Sequence, residues 1–213
     1  SSDWAALPGP RRQNPHMHLL EALLAFDEVE PDADARAMAD AIFALCADRF
    51  IERAQGCLGE LFDARWQPLA EREARLVEPG HHFEWVWLLH AYARSRNDNP
   101  EALQLADLLH RFARRNGVDS DGLVFDALER SGSVARDSKR LWPQTEHLKA
   151  LAARGEHTAL RETLSRVFAA YVDPATHTWR EQLDRAGRVT SDALNATSVY
   201  HVVLALSEAA AVL

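Results

Sequence analysis

Residues 78–95 read Glu-Pro-Gly-His-His-Phe-Glu-Trp-Val-Trp-Leu-Leu-His-Ala-Tyr-Ala-Arg-Ser. Pro79 and Gly80 punctuate a start, and a helix is expected from about His81 to Arg96. So apolar a helix belongs in a core, yet its opening holds two histidines and a glutamate. Buried polar groups are costly unless paired or used. The pair His81 and Glu84, three residues apart, can hydrogen-bond and hold an imidazole in one tautomer.

Other helices fall into place around this one. Residues 14 to 29 give a first helix. Asp32 or Asp34 caps a second, carrying Met38, Ile42, Phe43, Cys46, Phe50 and Ile51 on one face and closed by Gly56 and Gly59. Leu58 to Pro68 suits a loop or brief hairpin. Asn99-Pro100 opens a fourth helix and Asn116-Gly117 stops it. Gly122 to Val134 reads as a two-stranded ribbon, Pro143 starts a fifth helix, and a sixth covers about Glu156 to Val172. Trp179 to Val189 suits a second ribbon. The seventh helix, about Thr197 to Val212, is apolar almost all round and is expected to be buried on most faces. Odd-numbered helices open on polar and aromatic clusters, whereas even-numbered ones are simple amphipaths. That alternation predicts an all-α layered array of helical hairpins, with function on the odd helices.

The 213 residues are 47% hydrophobic and 26% charged, enough for a core in one domain spanning 1–213. A net charge of −8 argues against nucleic acid as partner. No apolar run reaches the length of a membrane span, and Ser1-Ser2-Asp3-Trp4 lacks a targeting pattern. With two cysteines, Cys46 and Cys57, a disulfide framework is ruled out and the cytoplasm is the expected compartment.

Four clusters carry candidate chemistry: Asn14-Pro-His-Met-His18, Glu78 to Trp85, Leu141-Trp-Pro-Gln-Thr-Glu146 and Tyr200-His201. Taken singly, each has a bland reading as helix start, core tryptophan or surface histidine. Together they predict a shared polar cavity, since four helices facing one core should otherwise be apolar. Imidazoles move protons near neutrality, tryptophan faces bind sugar C–H surfaces, and amides and carboxylates satisfy hydroxyls. A metal site from His16, His18, His81 and Glu84 is the rival, weaker because no His-Glu-x-x-His or cysteine pair is present.

These motifs, NPHMHLLEA (14–22), EPGHHFEW (78–85), LWPQTE (141–146) and Tyr200-His201, resemble those of the N-acylglucosamine 2-epimerase superfamily, nearest its mannose isomerase branch. The resemblance implies an (α/α)6 barrel of twelve helices, of which about the last seven are here. Missing N-terminal helices, or a second chain such as a homodimer partner, are then expected to complete it; the absence of an opening Met also points to a fragment or processed product. It further implies a monosaccharide or small oligosaccharide substrate, no cofactor and no metal. His81 and His201 become the acid/base pair and His18 a third catalytic histidine assisting ring opening. Glu84 orients His81 or holds substrate, and Asn14, Arg75, Trp142, Gln144 and Glu146 line the pocket. His82, His90, His110, His147, His157 and His177 match no role, and His16 is unassigned. The implied reaction runs through an enediolate to a ketose or a C2 epimer. Other classes stay open: a non-catalytic carbohydrate-binding or helical-repeat interaction module, an inactive fragment, or a glycoside hydrolase using Glu84 and Glu146.

Overall fold

The computed structural model describes residues 9–71 and 73–213; Ser1 to Trp4, with the targeting reading placed on them, lie outside the described residues. The helices are α1 (Asn14–Val29), α2 (Ala33–Leu45), α3 (Pro79–Ser95), α4 (Pro100–Gly117), α5 (Leu141–Ala153), α6 (His157–Tyr171) and α7 (Ala196–Val212). Local chemistry sets several of their starts. Asp32 caps α2 by accepting from the Ala35 amide at 2.7 Å, and Asn99 caps α4 by accepting from the Ala102 amide at 3.0 Å, with Pro100 in its first turn.

The second helix does not run on regularly to Ile51, as its apolar spacing suggests. Its end widens into a π-turn over Cys46–Phe50. The chain then leaves the helix because β2 (Ile51–Glu52) pairs with β3 (Cys57–Leu58), burying Ile51, Cys57 and Leu58. Gly56 turns this hairpin at φ +74°.

The remaining strands are short ties in the loops. β1 (Arg11–Arg12) pairs with β4 (Leu61–Phe62), and β5 (Leu76–Val77) joins β6 (Ala127–Glu129) and β7 (Val134–Arg136). The first expected ribbon therefore lies a few residues later than its composition indicates. A last three-stranded sheet contains β8 (Lys139–Arg140), β9 (Gln182–Leu183) and β10 (Val189–Ser191).

Inner and outer layers follow the alternation. α1, α3, α5 and α7 pack in that order as an inner row, while α2, α4 and α6 back α1, α3 and α5 respectively. In α3, 13 of 17 residues are buried, as befits a helix covered on both sides. The seventh helix departs from expectation: only Ser198, Val202, Ala205 and Ala209 are buried, and Val203 is 59% exposed. Leu19 and Phe26 of α1 are exposed too. The reason is positional, since α1 and α7 end the inner row and each has an inner neighbour on one side only. Among the described residues, no helix is long and apolar enough to cross a membrane.

Candidate active site

The inner row converges its N-terminal turns on a cleft of about 520 Å³. His18, His81, Glu84, Trp142 and His201 all line it, together with Asn14. Trp142 lies between two histidines, its ring centre 5.0 Å from that of His81 and 5.7 Å from that of His201. Gly80 makes room for it: a Cβ there would stand 2.5 Å from two carbons of the Trp142 ring.

His81 is held by a residue that the sequence reading did not single out. Its Nδ1 sits 3.0 Å from both oxygens of Glu60, on the loop before β4, and its Nε2 lies 3.2 Å from the Asn14 side-chain nitrogen. Glu84, expected to orient His81, does not do so; it faces His18, whose Nδ1 is 3.7 Å from Glu84 and 3.4 Å from Glu21. Glu60 in turn accepts from the Gln13 amide at 2.9 Å, and Gln13 accepts from the Trp85 indole at 2.7 Å. Burial opposes a charge on His81, but the Glu60 carboxylate outweighs it and pushes the ring's pKa up to about 9. At neutral pH the pair is imidazolium and carboxylate.

On the other side, His201 Nδ1 is 2.7 Å from Glu146 Oε1. Glu146 is fully buried behind the histidine and does not line the cleft itself. Burial works to raise its pKa, yet the Lys149 ammonium and His201 hold it below the usual carboxylate range. For Glu84, burial and the Glu146 charge together prevail, pushing it up to about 7. Glu21 accepts from the Tyr200 hydroxyl, a single tie between α1 and α7.

Like Glu146, two further residues expected to line the pocket do not reach the cleft. Gln144 is buried with its amide spent on backbone: it accepts from Val124 N at 2.7 Å and donates to Val124 O and Arg140 O, both at 2.9 Å. It pins the chain before β6 rather than facing the cleft. Arg75 ends a single 3₁₀ turn and points into solvent. Arg12, Arg136 and Arg140 supply the guanidinium groups at the cleft instead. Arg140 is fixed by Glu78 at 2.8 Å and Asp126 at 3.0 Å.

Two of the histidines without an assigned role, His16 and His82, have structural partners. His16 Nδ1 meets the Arg12 carbonyl at 3.0 Å and packs on Trp66 and Phe50, so it is no ligand beside His18. His82 donates from Nδ1 to the Glu78 carbonyl and accepts at Nε2 from the Leu58 amide. Burial pushes its pKa down to about 4 and keeps it neutral. Two sets of donor atoms lie within 4.8 Å of one another and could gather a cation: His18, Glu21 and Glu84, and Glu84, Glu146 and His201. In the second, the Lys149 ammonium already stands 2.8 Å from Glu146.

The model of the N-acylglucosamine 2-epimerase (GlcNAc 2-epimerase) family matches residues 1–205. The chain belongs to this family. A protein of Rhizobium meliloti (strain 1021) named mannose-6-phosphate isomerase is 37% identical over 213 residues, a match covering 93% of this chain and 54% of the relative. Among solved structures, a D-mannose isomerase superposes with a TM-score of 0.81 at 22% identity, over 100% of this chain and 58% of that one. A cellobiose 2-epimerase from Bacillus thermoamylovorans B4167 gives 0.73 at 18% identity, over 85% and 47%. The neighbours are (α/α)6 barrels, and the seven helices here match a part of that architecture. The family member described here spans about half the length of the relatives it matches.

Proposed function

We propose that the complete protein interconverts an aldose of mannose type with its ketose or C2 epimer through an enediolate. One observation carries this: two imidazoles flank one tryptophan in a cleft, each giving Nδ1 to a carboxylate behind it. Ring opening, with His18 assisting, exposes the C1 aldehyde. His201 then removes the C2 proton, the electron pair moves into C1–C2, and His81 protonates the aldehyde oxygen. Return of the proton to C1, with loss of the O2 proton, gives the ketose; return to C2 from the opposite face, with loss of the O1 proton, gives the epimer. The aldehyde itself acidifies the C–H bond, so this route calls for no cofactor. Asn14, Trp142 and Glu84 hold the sugar, and the cleft arginines face its remaining hydroxyls or a charged substituent.

A glycoside hydrolase would need two carboxyl groups on either side of one bond. Glu84 and Glu146 instead approach each other within 4.8 Å, with Glu146 sealed behind His201. A binding module whose clusters are structural would place them on outer faces, whereas they share one cleft. The exposed apolar flanks of α1 and α7 support further helices of the same protein, or a second copy, closing the barrel as one domain. Free buried thiols at Cys46 and Cys57 suit the cytoplasm.

The test uses the complete protein in deuterated water with mannose and related aldoses. Ketose or epimer should form and carry solvent deuterium at C1 or C2. His81→Asn and His201→Asn should each lower turnover by roughly a hundredfold or more, with exposed His157→Asn as control. If both leave the interconversion intact, or if the complete protein binds an aldose without converting it, the isomerase reading fails.

A further inference from the structure

Beneath the cleft floor, α5 carries a lysine among Leu148, Ala150 and Leu151. Lys149 is fully buried; its Nζ lies 2.8 Å from Glu146 Oε2 and 3.8 Å from the centre of the Trp87 ring. The approach to Glu146 is a close ion pair too bent to be a hydrogen bond, so the ammonium has no aligned acceptor. Glu84 Oε1 is likewise buried without a hydrogen-bond partner. Glu84 belongs to both groups of mutually close donor atoms, one with His18 and Glu21 and one with Glu146 and His201. Two buried carboxylates this near each other resist being ionised together. The ammonium stands against Glu146 and so decides between them.

We propose that Lys149 is a positioning residue: its fixed charge keeps Glu146 ionised behind His201 and leaves Glu84 as the carboxyl that holds a proton beside His18. The proposal rests on the isomerase reading for its catalytic consequence, though not for the charge division. The groups facing Glu84 are His18 and Glu21 from α1, His81 from α3, Glu146 and Lys149 from α5, and Tyr200 and His201 from α7. Their balance supports the division, since Glu84 is pushed up and Glu146 down. A protonated Glu84 donates a hydrogen bond into the cleft, where an ionised one would only accept. Lys149 does not line the cleft, so it acts through the two carboxyl groups.

The experiment compares the complete wild-type protein with Lys149→Met and with the charge-balanced double variant Lys149→Met/Glu146→Gln. Lys149→Met should lower kcat about tenfold or more while KM changes little. Its acidic limb should move up by about one pH unit or more, because Glu146 then ionises less readily. The double variant should regain the wild-type Tm without regaining kcat. Recovery of both, or a single-variant pH profile that overlays the wild type, would overturn the proposal and leave the lysine a structural role. Infrared titration of the protonated carboxyl band that Glu146→Gln removes gives a readout independent of turnover. That band should appear only below the usual carboxylate range in the wild type and at higher pH in Lys149→Met or, if that variant does not fold, in Lys149→Gln. An unmoved midpoint overturns the proposal even if no aldose is converted, whereas absent conversion by the wild type with a moved midpoint overturns only the isomerase reading.

Discussion

Replacing Glu60 by Gln removes the charge that sets His81 while keeping the side chain's shape. Both Glu60 oxygens lie 3.0 Å from His81 Nδ1, and they also accept from the Gln13 amide and the Glu78 backbone N–H. A glutamine can serve one of these donors through its carbonyl but turns an NH₂ toward the others. Without the carboxylate, burial acts on the imidazole against only the weaker pull of Glu78 and Glu84, and its pKa should fall from about 9 toward 6.5 or below. That change corresponds to about 3 kcal/mol of preference for the charged ring. The sign follows from linkage: because the folded ring holds its proton more tightly than the unfolded one, the stabilisation is fully present below pH 6.5 and is lost as pH rises through 9. Urea unfolding should therefore show Glu60→Gln less stable than wild type at pH 6, by up to about 3 kcal/mol, with the gap closing above pH 9. On the proposed chemistry the alkaline limb of kcat/KM moves down with His81, costing roughly thirtyfold at pH 8. Ring NMR titration reads the same group directly. If His81 still titrates near 9 in the variant, or if the stability gap persists unchanged above pH 9, the assignment of Glu60 as its counter-charge is wrong.

Gly80→Ala puts a methyl 2.5 Å from the Trp142 ring and should displace the indole from between the histidines. A fall in kcat/KM of about tenfold or more is expected, at a stability cost of about 1–3 kcal/mol; unchanged kinetics would remove Trp142 from the cleft's working geometry. Val203→Asp probes the 59% exposed flank of α7. Its cost should be within about 0.5 kcal/mol in the 213-residue segment and about 2 kcal/mol or more in the complete protein, where covering helices would bury the charge. Equally small costs in both would argue against that packing.

The helix alternation was legible because burial writes it: α3 and α5 are covered on both sides and their sequences lose the polar face that α4 retains. Which side chains meet was legible only where helical spacing decides. Glu146 lies four residues beyond Trp142, about one turn along the same face, whereas Gln144 lies two residues beyond it, about 200° round the helix. Motif membership hid that difference, and Gln144 faces backbone as a result. Glu60 reaches His81 from 21 residues away through strand ties of two residues each, which no local periodicity records. A lone carboxylate in the apolar run Leu58-Gly-Glu-Leu-Phe62 was the available signal. Lys149 had one as well, being one of two lysines in an arginine-rich chain and set in an apolar stretch of inner helix.

The two histidines are alike in their contact with Trp142 and in pairing Nδ1 with a carboxylate, so the different roles proposed for them must come from what else each carboxylate serves. Glu60 meets His81, the neutral Gln13 amide and one backbone N–H. His81 is therefore the cation paired with it, and the ring keeps its proton at neutral pH. Glu146 divides its two oxygens between His201 and the Lys149 ammonium. One carboxylate is committed to holding a proton on its imidazole, and the other is balanced by a cation that cannot leave. An enediolate route needs that inequality, because one group has to give a proton to oxygen while the other takes one from carbon. In this cleft the inequality comes from Lys149 and Glu60, neither of which belongs to the motifs that announced the site.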